Sequence, residues 1–236
     1  MKWLTGTTLD DKPVKFRPSK VWSMLLTDAN DIPIGVTFVR SPGYYYANLH
    51  WAKQETRDAD TKVTGVRLRG RDIAEKDPPE DAPWADTVRK TGNPPNYFMA
   101  HSYPHFAKVS INTGTERAPK WIEVKLNGSE LGLMLEAHEN SARVIGRNSA
   151  GEQVLIMCSA GATDASVGPM AAAHLRSTGT VTGNIHAPTG VVSTSDSMSK
   201  DGRVRTSLSV ERSIPDGKLF ETYPAPGNRP MPPEGS

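Results

Sequence analysis

The chain has 236 residues, 36% hydrophobic and 23% charged, which is typical of a protein that folds around a sizeable core. Its 28 basic and 26 acidic residues are scattered along the sequence and leave a net charge of +2, so we expect no nucleic-acid partner. The single cysteine excludes an internal disulfide and a thiolate-rich metal or iron–sulfur site.

The sequence also lacks the features of a membrane or secreted protein. No apolar run is long enough to cross a membrane, and the N-terminus lacks the apolar segment of a secretory signal. We therefore expect no membrane partner and a cytoplasmic protein as synthesised. Any export would then use a non-Sec route or a larger carrier system.

The first 80 residues predict a β-rich region, either a subdomain or an extension of the main sheet. Residues 22–26 and 34–39 predict two strands of a hairpin. The adjacent tyrosines 44–46 would suit a ligand-stacking surface, although strand residues that alternate between core and surface are the favoured interpretation. The acidic, proline-rich stretch 72–83 predicts a surface loop or a linker.

Two later apolar runs end abruptly at chemically reactive residues. Residues 97–100 are apolar and stop at His101, and residues 154–157 are apolar and stop at Cys158. Such runs are typical of strands buried on both faces. Open α/β sheets place their sites at the carboxyl ends of these strands.

The remaining elements complete an α/β pattern. Residues 121–126 predict a strand, 129–136 and 169–176 predict helices, and 185–190 predict a strand followed by a loop. This order predicts a three-layer α/β fold with a largely parallel central sheet, formed by residues 81–219. The proline-rich residues 220–236 predict a disordered tail.

Cys158 is the candidate nucleophile, because a thiolate that attacks a carbonyl needs an imidazole nearby and one is available. His101 precedes Cys158 by 57 residues, and a histidine roughly fifty residues upstream of the cysteine is the caspase arrangement. The alternative is an inert buried thiol, the usual state of a lone cysteine after an apolar run. His105 is the rival imidazole in the same loop. The spacing of the histidines indicates no metal site.

Three ordered segments carry a family resemblance. Residues 94–101 (PPNYFMAH), 155–161 (LIMCSAG) and 186–190 (HAPTG) resemble the "lonely Cys" domain, a caspase-like (clan CD) domain of actinobacterial polymorphic-toxin-type proteins. The resemblance extends over about 84–192, and the first 80 residues resemble no family.

The resemblance implies a caspase–haemoglobinase-like three-layer sandwich and a cysteine endopeptidase that needs no cofactor. It would process itself or a partner protein in a toxin or effector context. In that reading Cys158 is the nucleophile and His101 the acid–base partner. The backbone N–H groups of Ser102 and Cys158 would stabilise the oxyanion. Further residues that would line the cleft are Ser159, Gly161, His186 and Thr189.

Two departures from the family pattern keep a second hypothesis open. Ser102 stands where relatives usually have glycine, and Ile156 and Met157 stand where metacaspase-type relatives place an acidic residue that binds a basic substrate side chain. Asp164 is a substitute for that acid or, more simply, a helix cap. The second hypothesis is a non-catalytic caspase-like module that binds a partner protein. Hydrolysis or acyl transfer on a non-peptide ester or amide would use the same two residues. The sequence does not indicate the oligomeric state.

Overall fold

The computed structural model describes residues 2–70, 72–198, 202–212, 214 and 217–226. The strands in these residues are β1 (Leu4–Thr8), β2 (Pro13–Phe16), β3 (Met24–Thr27), β4 (Pro33–Thr37), β5 (Lys62–Arg69), β6 (Asp72–Lys76), β7 (Glu80–Asp81), β8 (Asn96–Met99), β9 (His101–Tyr103), β10 (Phe106–Asn112), β11 (Trp121–Leu126), β12 (Gln153–Ile156), β13 (Ile185–Pro188), β14 (Val192–Met198), β15 (Val204–Glu211) and β16 (Phe220–Tyr223). The α-helices are α1 (Pro42–Ala52), α2 (Ala85–Thr91), α3 (Gly128–Ala137), α4 (Glu139–Arg147) and α5 (Val167–Ser177). The predicted mixed α/β character is confirmed.

A six-stranded central sheet organises the molecule, in the order β16-β13-β12-β8-β4-β3. The inner strands β4, β8, β12 and β13 run parallel to one another. The edge strands β3 and β16 pair antiparallel with β4 and β13. Every residue of β8, β12 and β13 is buried. Continuous burial is expected of parallel strands covered on both faces, and it explains why their sequences are apolar rather than alternating.

The side chains of the central sheet divide between two buried clusters. In β12, Leu155 belongs to one cluster, while Val154 and Ile156 belong to the other. The first cluster includes residues of α3, α4 and α5 and of an antiparallel sheet, β2-β1-β11-β10-β9. The second includes residues of α1 and of a sheet in the order β14-β15-β5-β6. The sheet therefore lies between two separate apolar layers.

The first 80 residues contribute strands to all three sheets. β1 and β2 belong to the antiparallel sheet, β3 and β4 to the central sheet, and β5 to the sheet with β15. The stretch predicted as a loop or linker forms β6 and β7, and both pair with β5. Backbone pairing with an existing strand overrides the local loop composition there.

The three adjacent tyrosines lie in helix α1, so their assignment to a strand is wrong. Pro42 occupies the first turn of this helix, where the missing N–H costs no hydrogen bond. Tyr44 and Tyr46 are exposed, and the ring of Tyr45 contacts that of Trp22, with 5.3 Å between centroids.

The predicted start of the disordered tail, at residue 220, is wrong, because the first residues of that segment form a strand. Phe220–Tyr223 is β16, which pairs antiparallel with β13, and Phe220 is buried. An apolar side chain and a free sheet edge are enough to order this segment. The tail from 227 onward lies outside the described residues. No helix among the described residues has the length and apolar character needed to cross a membrane.

A buried ion pair attaches the segment after α1 to the central sheet. The guanidinium of Arg57 donates to both carboxylate oxygens of Asp60, at 3.0 Å for the closest contact to each, and to the carbonyl of Ala52 at 2.9 Å. The Tyr97 hydroxyl on β8 donates to the same carboxylate at 2.7 Å. Burial raises the pKa of Tyr97 well above its usual value, so the phenol stays protonated as the donor.

We expect the variant Asp60→Asn to lose about 3–5 kcal/mol of unfolding free energy, because it leaves the Arg57 charge buried without a partner. The matched control is Asp58→Asn in the same turn. Asp58 pairs with Arg205 at 3.5 Å on the surface, and its loss should cost at most about 1 kcal/mol. Urea denaturation, followed by tryptophan fluorescence, measures the unfolding free energy of both variants. Equal destabilisation by the two variants would contradict the importance of the buried pair.

Candidate active site

The pairing of β8 with β12 brings His101 and Cys158 to one edge of the central sheet. The two strands pair in parallel from Asn96 opposite Gln153 to Met99 opposite Ile156. His101 and Cys158 each follow the last pair by two residues. The predicted strand ends are therefore present, and both side chains lie at the carboxyl edge where α/β sheets hold their sites.

Both residues line one cleft of about 500 Å³. Cys158 and His101 are each half-buried, so neither residue is sealed in the core. The complete lining is Val39, Ser41, Gly43, Tyr44, Ala47, Asn48, Met99, Ala100, His101, Ile156, Cys158, Val192, Ser193 and Thr194. The volume falls in the range of ordinary ligand pockets.

Two walls of the cleft come from elements that the sequence did not associate with the site. The first half of α1 supplies one wall, and the first residues of β14 supply the other. The ring of Tyr44 on α1 packs edge-on against the imidazole of His101, with 5.4 Å between centroids and planes at 86°. This contact orients the imidazole. Ser41 followed by Pro42 is an N-terminal helix signal that favours the helix over a strand at the tyrosines.

The chain turns sharply immediately after Cys158. Ser159 has a φ of 55°, a left-handed conformation that is uncommon for a residue other than glycine. Its N–H donates to the carbonyl of Gly190 at 2.8 Å, and that of Gly161 donates to the carbonyl of Pro188 at 2.8 Å. A Cβ on Gly161 would lie 2.3 Å from the carbonyl oxygen of Ala187, so glycine is required there.

Ser102 holds this turn from the side of His101. Its hydroxyl donates to the carbonyl oxygen of Cys158 at 2.6 Å, and the residue is 7% exposed. A glycine here would lack this bond. Ser102 therefore links the two candidate catalytic segments through its side chain.

The backbone N–H of Cys158 is available to a ligand. The N–H groups of Met157, Ser159 and Ala160 all donate to backbone carbonyls, whereas within the described residues that of Cys158 has no oxygen acceptor. An N–H without an acceptor beside a nucleophile is the arrangement needed to bind a developing oxyanion.

The cleft favours the neutral forms of both groups. Burial, reinforced by the negative charge of Glu211, raises the pKa of the Cys158 thiol, although backbone hydrogen bonding at Val192 and at Cys158 itself opposes the shift. Burial, followed by the positive charge of Lys108, lowers the pKa of His101. At neutral pH the pair is thus a thiol and a neutral imidazole rather than a thiolate and an imidazolium.

Three of the four residues predicted to line the cleft lie beside it. Ser159, Gly161 and Thr189 line a neighbouring cavity of about 780 Å³. Asp164 lines that cavity too, so it does not supply an acid to the cleft of Cys158. Nor does it cap α5, whose N-cap is Ser166.

His186 does not line the cleft, because it is fully buried in the central sheet. Its Nε2 lies 2.7 Å from a carboxylate oxygen of Glu152, and its Nδ1 lies 3.0 Å from the hydroxyl of Thr222 on β16. The contact with Thr222 joins β13 to the edge strand, and the contact with Glu152 joins it to the residue before β12. The sequence placed His186 near a strand end but carried no sign of its carboxylate partner.

Comparison with known proteins yields no family for this chain. No family model matches it, and neither the curated proteins nor the solved structures include a match.

We expect the alkylation rate of Cys158 by iodoacetamide to keep rising between about pH 7 and about pH 9. The raised pKa keeps the sulfur protonated at neutral pH, and the reactive thiolate accumulates only as the pH approaches that pKa. Intact-protein mass spectrometry measures the rate, and Cys158→Ala gives the background, since the chain has no other cysteine. A plateau below about pH 7 would show a thiolate–imidazolium pair instead.

We expect Ser102→Ala to lower the free energy of unfolding by about 1 kcal/mol, because the bond to the Cys158 carbonyl is lost. Ser19→Ala is the control, because its hydroxyl is exposed and has no partner among the described residues. That variant should stay within about 0.5 kcal/mol of the wild type. Equal stability of Ser102→Ala and Ser19→Ala would show that the bond contributes nothing.

Proposed function

We propose that this chain is a cysteine endopeptidase in which Cys158 is the nucleophile and His101 the acid–base partner. The observation that carries the proposal is that both side chains line one cleft at the carboxyl ends of neighbouring parallel strands. Acyl-transfer chemistry needs such a pairing of a thiol with an imidazole.

The neutral state of the two groups defines the first chemical step. The Cys158 sulfur attacks the carbonyl carbon of the peptide bond while its proton passes to His101. The tetrahedral adduct then breaks its C–N bond, and the imidazolium returns the proton to the departing amine. Water then adds to the carbonyl carbon of the thioester while His101 accepts its proton, and the C–S bond breaks as the imidazolium returns that proton to the Cys158 sulfur. No cofactor takes part in this scheme.

The oxyanion of the tetrahedral adduct would be stabilised by backbone donors. The N–H of Cys158 has no oxygen acceptor among the described residues and lies next to the reacting sulfur. The N–H of Ser102 is the second donor implied by the resemblance. Such preorganised donors usually supply the largest single electrostatic contribution to acyl transfer.

We infer a caspase–haemoglobinase-like sandwich, supported by the run of parallel strands β4, β8, β12 and β13 and by buried clusters on both faces. The substrate would be the chain itself or a partner protein. Its setting in a toxin or effector system follows from the resemblance alone.

A second candidate is a non-catalytic module that binds a partner protein. The observation that favours it is the orientation of the thiol, which donates to the carbonyl of Val192 at 3.9 Å rather than to His101. In that case the cleft would hold a peptide without cleaving it.

We expect wild-type protein to cleave members of a proteome-derived peptide library, and Cys158→Ala to cleave none. His101→Ala should lose at least about a hundredfold in cleavage rate, because proton transfer by a positioned side chain contributes that much. Mass spectrometry of the products, at equal protein concentrations, measures both effects.

His105→Ala is the matched control for the histidine variant. His105 is exposed, lies 3.3 Å from the Ser166 hydroxyl and is not part of the cleft. The His105→Ala variant should therefore cleave the peptides at the wild-type rate. Cleavage by Cys158→Ala equal to that of the wild type would overturn the proposal. Peptides retained but uncut by the wild type would favour the binding module.

A further inference from the structure

Among the residues that the structure describes, the walls of the cleft that holds Cys158 and His101 carry no charged side chain. Its described lining residues include no Asp, Glu, Lys or Arg. The apolar part consists of Val39, Ala47, Met99, Ala100, Ile156 and Val192, besides the ring of Tyr44. Met99 and Ile156 are 2% and 6% exposed and form part of the floor. A charged group entering this space would lose hydration without gaining an opposite charge.

The one amide among the described wall residues already has partners. The amide of Asn48 donates to the hydroxyl of Thr37 at 3.1 Å, and the hydroxyl of Thr194 donates to the Asn48 carbonyl oxygen at 3.3 Å. The other polar side chains of the wall that the structure describes, besides Tyr44, His101 and Cys158, are the small neutral hydroxyls of Ser41 and Ser193. The walls therefore offer no charge that would compensate a charged side chain for its lost hydration.

Charges outside the cleft act on the two reactive residues with opposite signs. Glu211 influences the Cys158 thiol and Lys108 influences the His101 imidazole, yet neither residue lines the cleft. Met157, directly before Cys158, cannot contact a substrate side chain in the cleft. It is fully buried in the core cluster on the other face of the sheet from Met99 and Ile156. A substrate side chain in the cleft would thus meet apolar atoms, the small hydroxyls of Ser41 and Ser193 and the paired amide of Asn48.

We infer that the cleft selects an uncharged, apolar side chain, of leucine or methionine type, on the substrate residue whose carbonyl Cys158 attacks. This inference rests on the proposed peptidase function and adds the substrate class to it. The side chain of that residue lies nearest the nucleophile, so the cleft around Cys158 is the space that receives it.

Activity-based probes that differ in one residue test this inference directly. Three peptidyl acyloxymethyl ketones carry Leu, Asp or Lys next to the reactive ketone and are otherwise identical. The rate of labelling at Cys158, followed by intact mass and checked against Cys158→Ala, should be at least about tenfold higher for Leu than for either charged probe.

The variant Ala47→Asp tests whether this cleft is the selecting site. Ala47 is exposed on α1 and lines the cleft, so the substitution adds a carboxylate without altering the core. It should raise the labelling rate of the Lys probe relative to the Leu probe by about tenfold or more. Ala47→Asn, of nearly the same shape but uncharged, should keep the wild-type order.

The outcomes separate this inference from the proposed function. Failure of every probe to label Cys158 would overturn the peptidase and the specificity together. Labelling at Cys158 that is fastest with Asp or Lys would overturn the specificity alone. Identical probe preferences for Ala47→Asp and Ala47→Asn would show that the substrate side chain binds elsewhere, and so would overturn the inference as well.

Discussion

The parallel pairing of β8 with β12 is the constraint on which the site depends. Its parallel direction brings His101 and Cys158 to the same edge, and its register, with Met99 opposite Ile156, places each of them two residues beyond the last pair. Because both strands are completely buried, a shift by one residue would move apolar side chains to the wrong layer. Core packing therefore fixes the relation between the two reactive residues, although neither belongs to the core.

The walls of the cleft depend on a second set of interactions, those that hold α1 against the sheets. The Trp51 indole donates to the carbonyl of Ser207 at 3.1 Å, and Asn48 connects the helix to Thr37 and Thr194. Arg57 extends this attachment through the Asp60 carboxylate to β8. The helix that positions Tyr44 beside His101 is thus anchored through its buried side, while the side facing the cleft stays open.

The electrostatics and the loop geometry of the site set the state of Cys158. Burial favours the neutral thiol and the neutral imidazole, so a thiolate forms only when a proton leaves the sulfur. The Cys158 carbonyl accepts from the Ser102 hydroxyl, while the Cys158 N–H has no oxygen acceptor within the described residues. Ser102 thus fixes the Cys158 carbonyl through a side chain that glycine would lack.

The sequence alone determined the strand ends at His101 and Cys158 and the mixed α/β character, because continuous apolar runs that stop at polar residues are local signals. It did not determine the helix at the tyrosines, the ordered strand β16 or the burial of His186. Those depend on partners distant in sequence: the sheets behind α1, the free edge of β13 and the carboxylate of Glu152. Tertiary structure also decided that the cleft is uncharged, since its walls come from α1 and β14, elements that no local pattern connects to the cysteine.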